Sequence, residues 1–222
     1  RNEAGSAHIL LDAVGYFIDE MNRIRQDPEI VALGVDHIII GATHTHEGVD
    51  TVGLWGKDPV TPGRTDAYQQ LTRERAVDAI VQAVNGLRPA RMSVAQAVTA
   101  GPGGTLDYVN DVRDPIIYDP TLTLAHFTDD LSGEPIGTLV NWAAHPEYTG
   151  SRNNLLSADY VHALRETIER GIVGEGRDRP GEIEGEAPEE SCFVGLWRGF
   201  EAFAIEAGKD EGVDRVADPG GV

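Results

Sequence analysis

Apolar residues recur along this chain in two rhythms, one near 3.6 residues and one near two, and the alternation between them outlines the fold. Ile9, Leu10, Val14, Phe17, Ile18, Met21 and Ile24 recur mostly three and four apart, which predicts a helix, although part of HILLDAVGYF reads equally well as a strand. The run IVALGVDHIIIGAT is β-branched, apolar and glycine-punctuated, the pattern of a strand buried on both faces. After a Gly/Pro-rich loop from Gly48 to Gly63, the segment TDAYQQLTRERAVDAIVQAVNGL carries Tyr68, Leu71, Ala76, Ile80, Val81 and Val84 at helical spacing, with Asn85 and Gly86 as a stop. MSVAQAVTAG alternates like a strand. TLTLAHFTD and EPIGTLVNWAAH read as two more, joined by turn residues Asp130 to Gly133. Another helix is predicted after Ser157, with Val161, Leu164, Arg165 and Ile168 in helical register and Gly171 as its end.

Beyond Gly171 the pattern changes. GIVGEGRDRPGEIEGEAPEES is Gly-rich and acidic and reads as loop. Phe193, Leu196, Trp197, Phe200 and Phe203 then recur at helical spacing as a core-packing stripe. Strands interleaved with helices predict an α/β fold, a layered, mixed, largely parallel β-sheet flanked by helices. The expected organisation is an α/β domain over residues 1–171, with residues 172–222 as an acidic loop and aromatic segment of the same domain.

Composition narrows the functional classes. The 222 residues, 41% of them hydrophobic, are enough for a sizeable core. No stretch approaches the roughly 18 to 20 apolar residues of a membrane span, so no transmembrane segment is expected. RNEAGSAH lacks the basic flank and apolar segment of a leader, while the start at Arg1 leaves a removed leader open. A soluble protein is expected, cytoplasmic or secreted, and a homo-oligomer is compatible with the sequence. The single cysteine, Cys192, makes neither an internal disulfide nor a thiolate-rich zinc site. Any metal would rest mainly on histidines and carboxylates. The formal charge of −19, with only Lys57 and Lys209 as lysines, repels phosphate backbones and argues against nucleic-acid binding.

The chemistry concentrates in two stretches. In extended backbone, side chains two apart share a face, so His44 and His46 of THTH point one way and Thr43 and Thr45 the other. At the carboxyl end of an α/β strand such a pair lies where ligands bind. Both imidazoles can hold a metal, or one can hold it while the other moves protons; hydrogen-bonded structural histidines are the plain alternative. GTLVNWAAHPEYTGSRNNLLSADY repeats the arrangement: an apolar strand over residues 139–144, His145 at its end, Pro146 as a stop, a polar loop, and a helix opened by Ser157 and Asp159. Neighbouring parallel strands would bring the histidines together. Asp159 either caps the helix or accepts a hydrogen bond from a ligating imidazole. His8, His37, His126 and His162 are read as structural.

Together ATHTHEGVDTVGLWG and NWAAHPEYTGSRNNLLSADY resemble the neutral/alkaline, non-lysosomal ceramidase family. Its first motif reads roughly Ala-Thr-His-Thr-His-Ser-Gly-Pro, and its second places a His-Pro or His-Gly ahead of an Asn-rich loop. NDVRDPIIYDPTLTLAHF is similar to the family's Asn-x-x-Arg segment, and the resemblance spans about residues 5 to 170. It implies a zinc-dependent amidase with His44 and His145 as zinc ligands and His46 as an unligated histidine that exchanges a proton with the substrate. It also implies Arg113 as the site arginine and, through RPGEIEG, Glu182 as a carboxylate ligand. Family members are longer and take a tyrosine ligand from downstream, whereas the last tyrosine here is Tyr160. The Gly-Asp-x-Ser-Pro stretch and the C-terminal immunoglobulin-like domain are also missing. The copy is then incomplete, or its metal site is completed by water or another chain.

The reaction implied is hydrolysis of an amide in a ceramide-like or smaller N-acyl substrate by metal-activated water. His46 would assist the oxyanion or leaving amine, and Arg113 would orient a polar group of the substrate. One rival is a binuclear hydrolase of the metallo-β-lactamase or amidohydrolase kind, with both His44 and His46 on metal. Metallo-β-lactamases place Asp-His shortly afterwards, where this chain has Glu47-Gly48. The other rival is a catalytically degenerate domain that binds a ligand without turnover.

Overall fold

The computed structural model describes residues 5–99, 114–170, 200–207 and 214–216. Arg113, Glu182, the acidic stretch after Gly171 and the first three residues of the aromatic stripe lie outside them.

The chain enters as strand β1 (Gly5–Leu11), turns, and forms helices α1 (Ile18–Arg25) and α2 (Pro28–Leu33) before strand β2 (His37–Ala42). The early 3.6-residue rhythm therefore holds only from Ile18 onward. The apolar run before it is strand because β1 pairs on both sides, parallel to β2 and antiparallel to β6 (Phe200–Ala207). In α1, Asp19 and Glu20 occupy the first turn and Arg23 and Arg25 the last, which complements the helix dipole.

The stretch IVALGVDHIIIGAT divides in two. Its first half is α2, started by Asp27, whose side chain accepts from the Glu29 N–H at 2.9 Å, with Pro28 in the first turn. Gly34 ends the helix at φ 66°, a left-handed position suited to glycine. Only the second half is strand, and β2 lies at the sheet edge with Ile39 48% exposed. The expected burial on both faces is corrected on this point: Ile40 on one face is buried in the main core, whereas Ile39 on the other face is exposed.

Helix α3 (Asp66–Asn85) is capped by Thr65, which accepts from the Tyr68 N–H at 3.3 Å, and is closed by Gly86. It packs on α1, α2 and β1. Ala76, Val77, Ala79, Ile80 and Ala83 of α3 meet Ala7, Ile9 and Leu11 of β1, with Tyr16, Ile24, Ile30 and Ile40 closing the main core. The alanines let helix and strand backbones approach, and the larger side chains fill the remaining gaps.

Strands β3 (Arg88–Val98), β4 (Thr121–Asp129) and β5 (Pro135–Trp142) form an antiparallel meander. The Asp130–Gly133 turn between β4 and β5 is where the sequence places it, with Gly133 at φ 73° and Asp129 accepting from the Leu131 and Ser132 N–H groups. Ala90, Val94, Ala125, Phe127, Ile136 and Leu139 make a second core. Helix α4 (Tyr160–Arg170) follows β5.

β7 (Asp214–Val216) pairs with β6 and β3, completing a seven-stranded sheet in the order β2-β1-β6-β7-β3-β4-β5. The fold is mixed α/β as expected. Parallel pairing is confined to β1 and β2, where α1 and α2 supply the crossover; every other described pairing is antiparallel. Phe200 and Phe203 lie in β6, a strand rather than the predicted helix, because pairing with β1 outweighs their three-residue spacing. No described helix is long and apolar enough to cross a membrane.

Candidate metal centre

β2 and β5, which deliver His44 and His145, are the two edges of the sheet rather than parallel neighbours. The histidines meet because the segments just beyond both strands are tied to each other. The His46 N–H donates to the Pro146 carbonyl at 3.4 Å, the Ser157 N–H to the Glu47 carbonyl at 3.1 Å, and the Thr45 hydroxyl to the Ser157 carbonyl at 3.0 Å. Arg165 of α4 grips Asp12, just past β1, through two bonds of 2.7 and 2.9 Å. Such a fork-on-fork pair holds both distance and orientation.

The THTH alternation persists past the end of β2. Thr43 and Thr45 are buried, while His44 is exposed and His46 half-buried on the other side. His44 is at φ 68°, left-handed for a non-glycine residue. Its backbone N–H donates to the Ala13 carbonyl at 3.0 Å, and its Nδ1 lies 2.5 Å from the Val14 carbonyl. A carbonyl only accepts, so the Nδ1 carries the proton and the Nε2 presents a lone pair.

That lone pair faces the other two imidazoles. His44 Nε2 and His46 Nε2 are 3.4 Å apart. Two nitrogens bound tetrahedrally to one zinc at 2.0–2.1 Å would be separated by about 3.3 Å. The ring centroids of His44 and His145, and of His46 and His145, are each 4.6 Å apart. Candidate donor atoms of His44, His46 and His145 all lie within 4.8 Å of one another, close enough to share a metal ion. The His145 pKa is lowered, first by burial and then by the adjacent His44 and His46, against the opposing pull of Glu147 and Asp159. A lowered pKa favours the neutral imidazole that a metal needs.

Glu147 was not singled out in the sequence. One carboxylate oxygen lies 3.4 Å from His145 Nδ1 and the other 3.9 Å from His46 Nδ1. The available signal was Pro146: the Glu147 N–H donates to the His145 carbonyl at 3.0 Å, a three-residue turn about the proline that folds the carboxylate back.

Of the two roles open to it, Asp159 makes its hydrogen bonds at the helix start and its preceding loop, not one from an imidazole. At φ 54°, it accepts from the Thr149 N–H at 2.9 Å, the Thr149 hydroxyl at 3.2 Å and the Tyr160 N–H at 2.7 Å. Its carboxylate is committed to the 145–152 loop and the helix start. Tyr160 donates to the Ala144 carbonyl at 2.6 Å, one residue before His145, and its pKa is raised to about 12 by burial, then by Asp159 and Tyr148. Arg113 and Glu182 lie outside the described residues.

An open cleft of about 470 Å³ adjoins the histidines, lined by His46, Glu47, Trp55, Glu147, the polar Ser151, Asn153 and Asn154, and the apolar Leu155 and Leu156. The Trp55 wall is built by Asp50, whose carboxylate accepts from the Val52, Gly53 and Trp55 N–H groups at 2.9, 2.6 and 2.8 Å. Burial pushes the Asp50 pKa up, but the surrounding backbone donors outweigh it and hold it below the usual carboxylate range.

No protein-family model, curated protein or solved structure matches the chain.

Proposed function

We propose that this protein is a zinc-dependent hydrolase that cleaves an amide bond of an N-acyl compound, and that His44, His46 and His145 hold the ion. The observation that carries the reading is the convergence of three imidazoles from two distant stretches, with the His44 tautomer set by a backbone carbonyl so that Nε2 faces the other rings. Three nitrogen donors beside an open cleft match the ligand set of catalytic rather than structural zinc, which keeps a position free. A bound zinc supplies Lewis acidity, polarising a carbonyl and lowering the pKa of a coordinated water to about 7.

The chain's own groups perform the rest. The cleft offers Trp55, Leu155 and Leu156 to an acyl group and Asn153, Asn154 and Ser151 to amide and hydroxyl groups. A ceramide-like substrate rests on the resemblance of the two histidine motifs to the ceramidase family, and a smaller N-acyl amide satisfies the same lining.

A second reading has one observation in its favour. Of the three histidines, His46 alone lines the cleft, the place for a group that passes a proton to the leaving amine while His44 and His145 hold zinc. Metal content separates the two. With His46 as a ligand, both His44→Ala and His46→Ala lose zinc; with His46 as the proton carrier, His46→Ala keeps zinc and loses turnover. The function itself is tested on a panel of N-acyl amides with zinc-loaded protein. Hydrolysis that chelator abolishes and zinc restores is the expected result, and a protein that binds no zinc and cleaves none of the panel contradicts it.

A further inference from the structure

Each of the three imidazoles has a partner behind its Nδ1, but not of the same kind. His44 has the neutral Val14 carbonyl at 2.5 Å. His46 and His145 share one residue, Glu147, with its two carboxylate oxygens divided between them at 3.9 and 3.4 Å. The division is built into the backbone. The three-residue turn at Pro146 returns Glu147 toward His145, and the Pro146 carbonyl accepts from the His46 N–H, so one dipeptide addresses both rings.

We propose that Glu147 is a positioning residue for the metal centre, a single carboxylate that sets the tautomer and orientation of two ligating imidazoles at once. The inference rests on the zinc reading above. An Nδ1–H held toward a carboxylate leaves the Nε2 lone pair for the ion and makes it a stronger donor. The present separations exceed hydrogen-bond length by a few tenths of an ångström for His145 and by more for His46. Glu147 is 54% exposed at its side chain, free to close on both rings. As placed, its carboxylate is not among the donor atoms that lie within 4.8 Å of one another, and the test below separates a positioning role from that of a fourth ligand.

The test is zinc affinity by chelator competition, with the absorption spectrum of the cobalt-substituted protein as a second readout, in wild type, Glu147→Gln, Glu147→Ala and Glu147→Asp. A positioning role predicts zinc binding about 10-fold to 100-fold weaker in Glu147→Ala, partial recovery in Glu147→Asp, a changed cobalt spectrum and unchanged melting of the metal-free protein. A purely structural role would move the melting temperature and leave the spectrum alone. Wild-type affinity and spectrum in all three variants overturn the proposal while the zinc centre stands. A loss as deep as that of His44→Ala makes Glu147 a ligand and overturns it too. Failure of the wild type to bind zinc overturns this role together with the proposed function.

Discussion

His44 holds a backbone conformation that side chains ordinarily avoid. At φ 68° a non-glycine residue carries about 1–2 kcal/mol of steric cost, and strain of this kind persists where a site needs it. His44→Gly should therefore give a metal-free protein about 1 kcal/mol more stable than His44→Ala, with both variants unable to hold zinc; equal stabilities in denaturant titration would show that the strain is absent. His8 tests a different residue-scale effect. Burial lowers its pKa from 6.5 to about 4, so between those values the unfolded chain binds more protons than the folded one. Stability present above pH 6.5 should fall as pH drops toward 4, and His8→Gln should flatten that part of the profile. A variant whose slope matches the wild type would remove His8 as the cause. The pairing of His46 with Glu147 was not legible from sequence. It depends on a turn at Pro146 meeting a chain segment about a hundred residues away, and local spacing carries no information about such a meeting.

At the scale of elements, rhythm was readable wherever one face of an element is buried. Helix α3, the β4–β5 hairpin and the helix after Ser157 lie where their apolar periods place them, although in the first half of α3 the buried positions are Gln69 and Thr72 while Leu71 of the expected stripe is exposed. Partner choice was not readable. HILLDAVGYF has both a helical and a strand reading, and pairing of β1 on two sides decides it. IVALGVDHIIIGAT looks like one strand until the Asp27-Pro28 start and Gly34 stop are given their weight. The expectation that His44 and His145 end adjacent parallel strands had the right meeting and the wrong route, since interlocking loops join opposite edges of the sheet. The ties that make this junction can be tested. Arg165 is 7% exposed and held by Asp12, so Asp12→Ala leaves a buried guanidinium unpaired. The expected loss is about 3 kcal/mol, with weaker zinc binding because α4 no longer clamps the β1 exit. In the core, Ile80→Ala on α3 should cost about 2–5 kcal/mol and leave zinc affinity intact, which separates general stability from the site.

The whole molecule is strongly acidic, at −19, and its cleft continues that character. Glu47 and Glu147 line it, and no lysine or arginine does so among the described residues. Negative potential focused in a cleft repels anions, and salt screens it. An N-acyl compound with a free carboxylate should show kcat/KM on the order of tenfold below its neutral amide analogue at low ionic strength, with the gap narrowing as salt rises. Preference for the anionic member at low salt would show that the charge of the proposed zinc outweighs Glu47 and Glu147 in the cleft.

The central claim is that one metal ion joins His44, His46 and His145. Its most direct test is anomalous diffraction at the zinc edge from crystals of the zinc-loaded protein. The account predicts one peak within bonding distance, about 2.0–2.1 Å, of an imidazole nitrogen from each of the three residues. A peak bonded elsewhere, or none between these rings at saturating zinc, would contradict it.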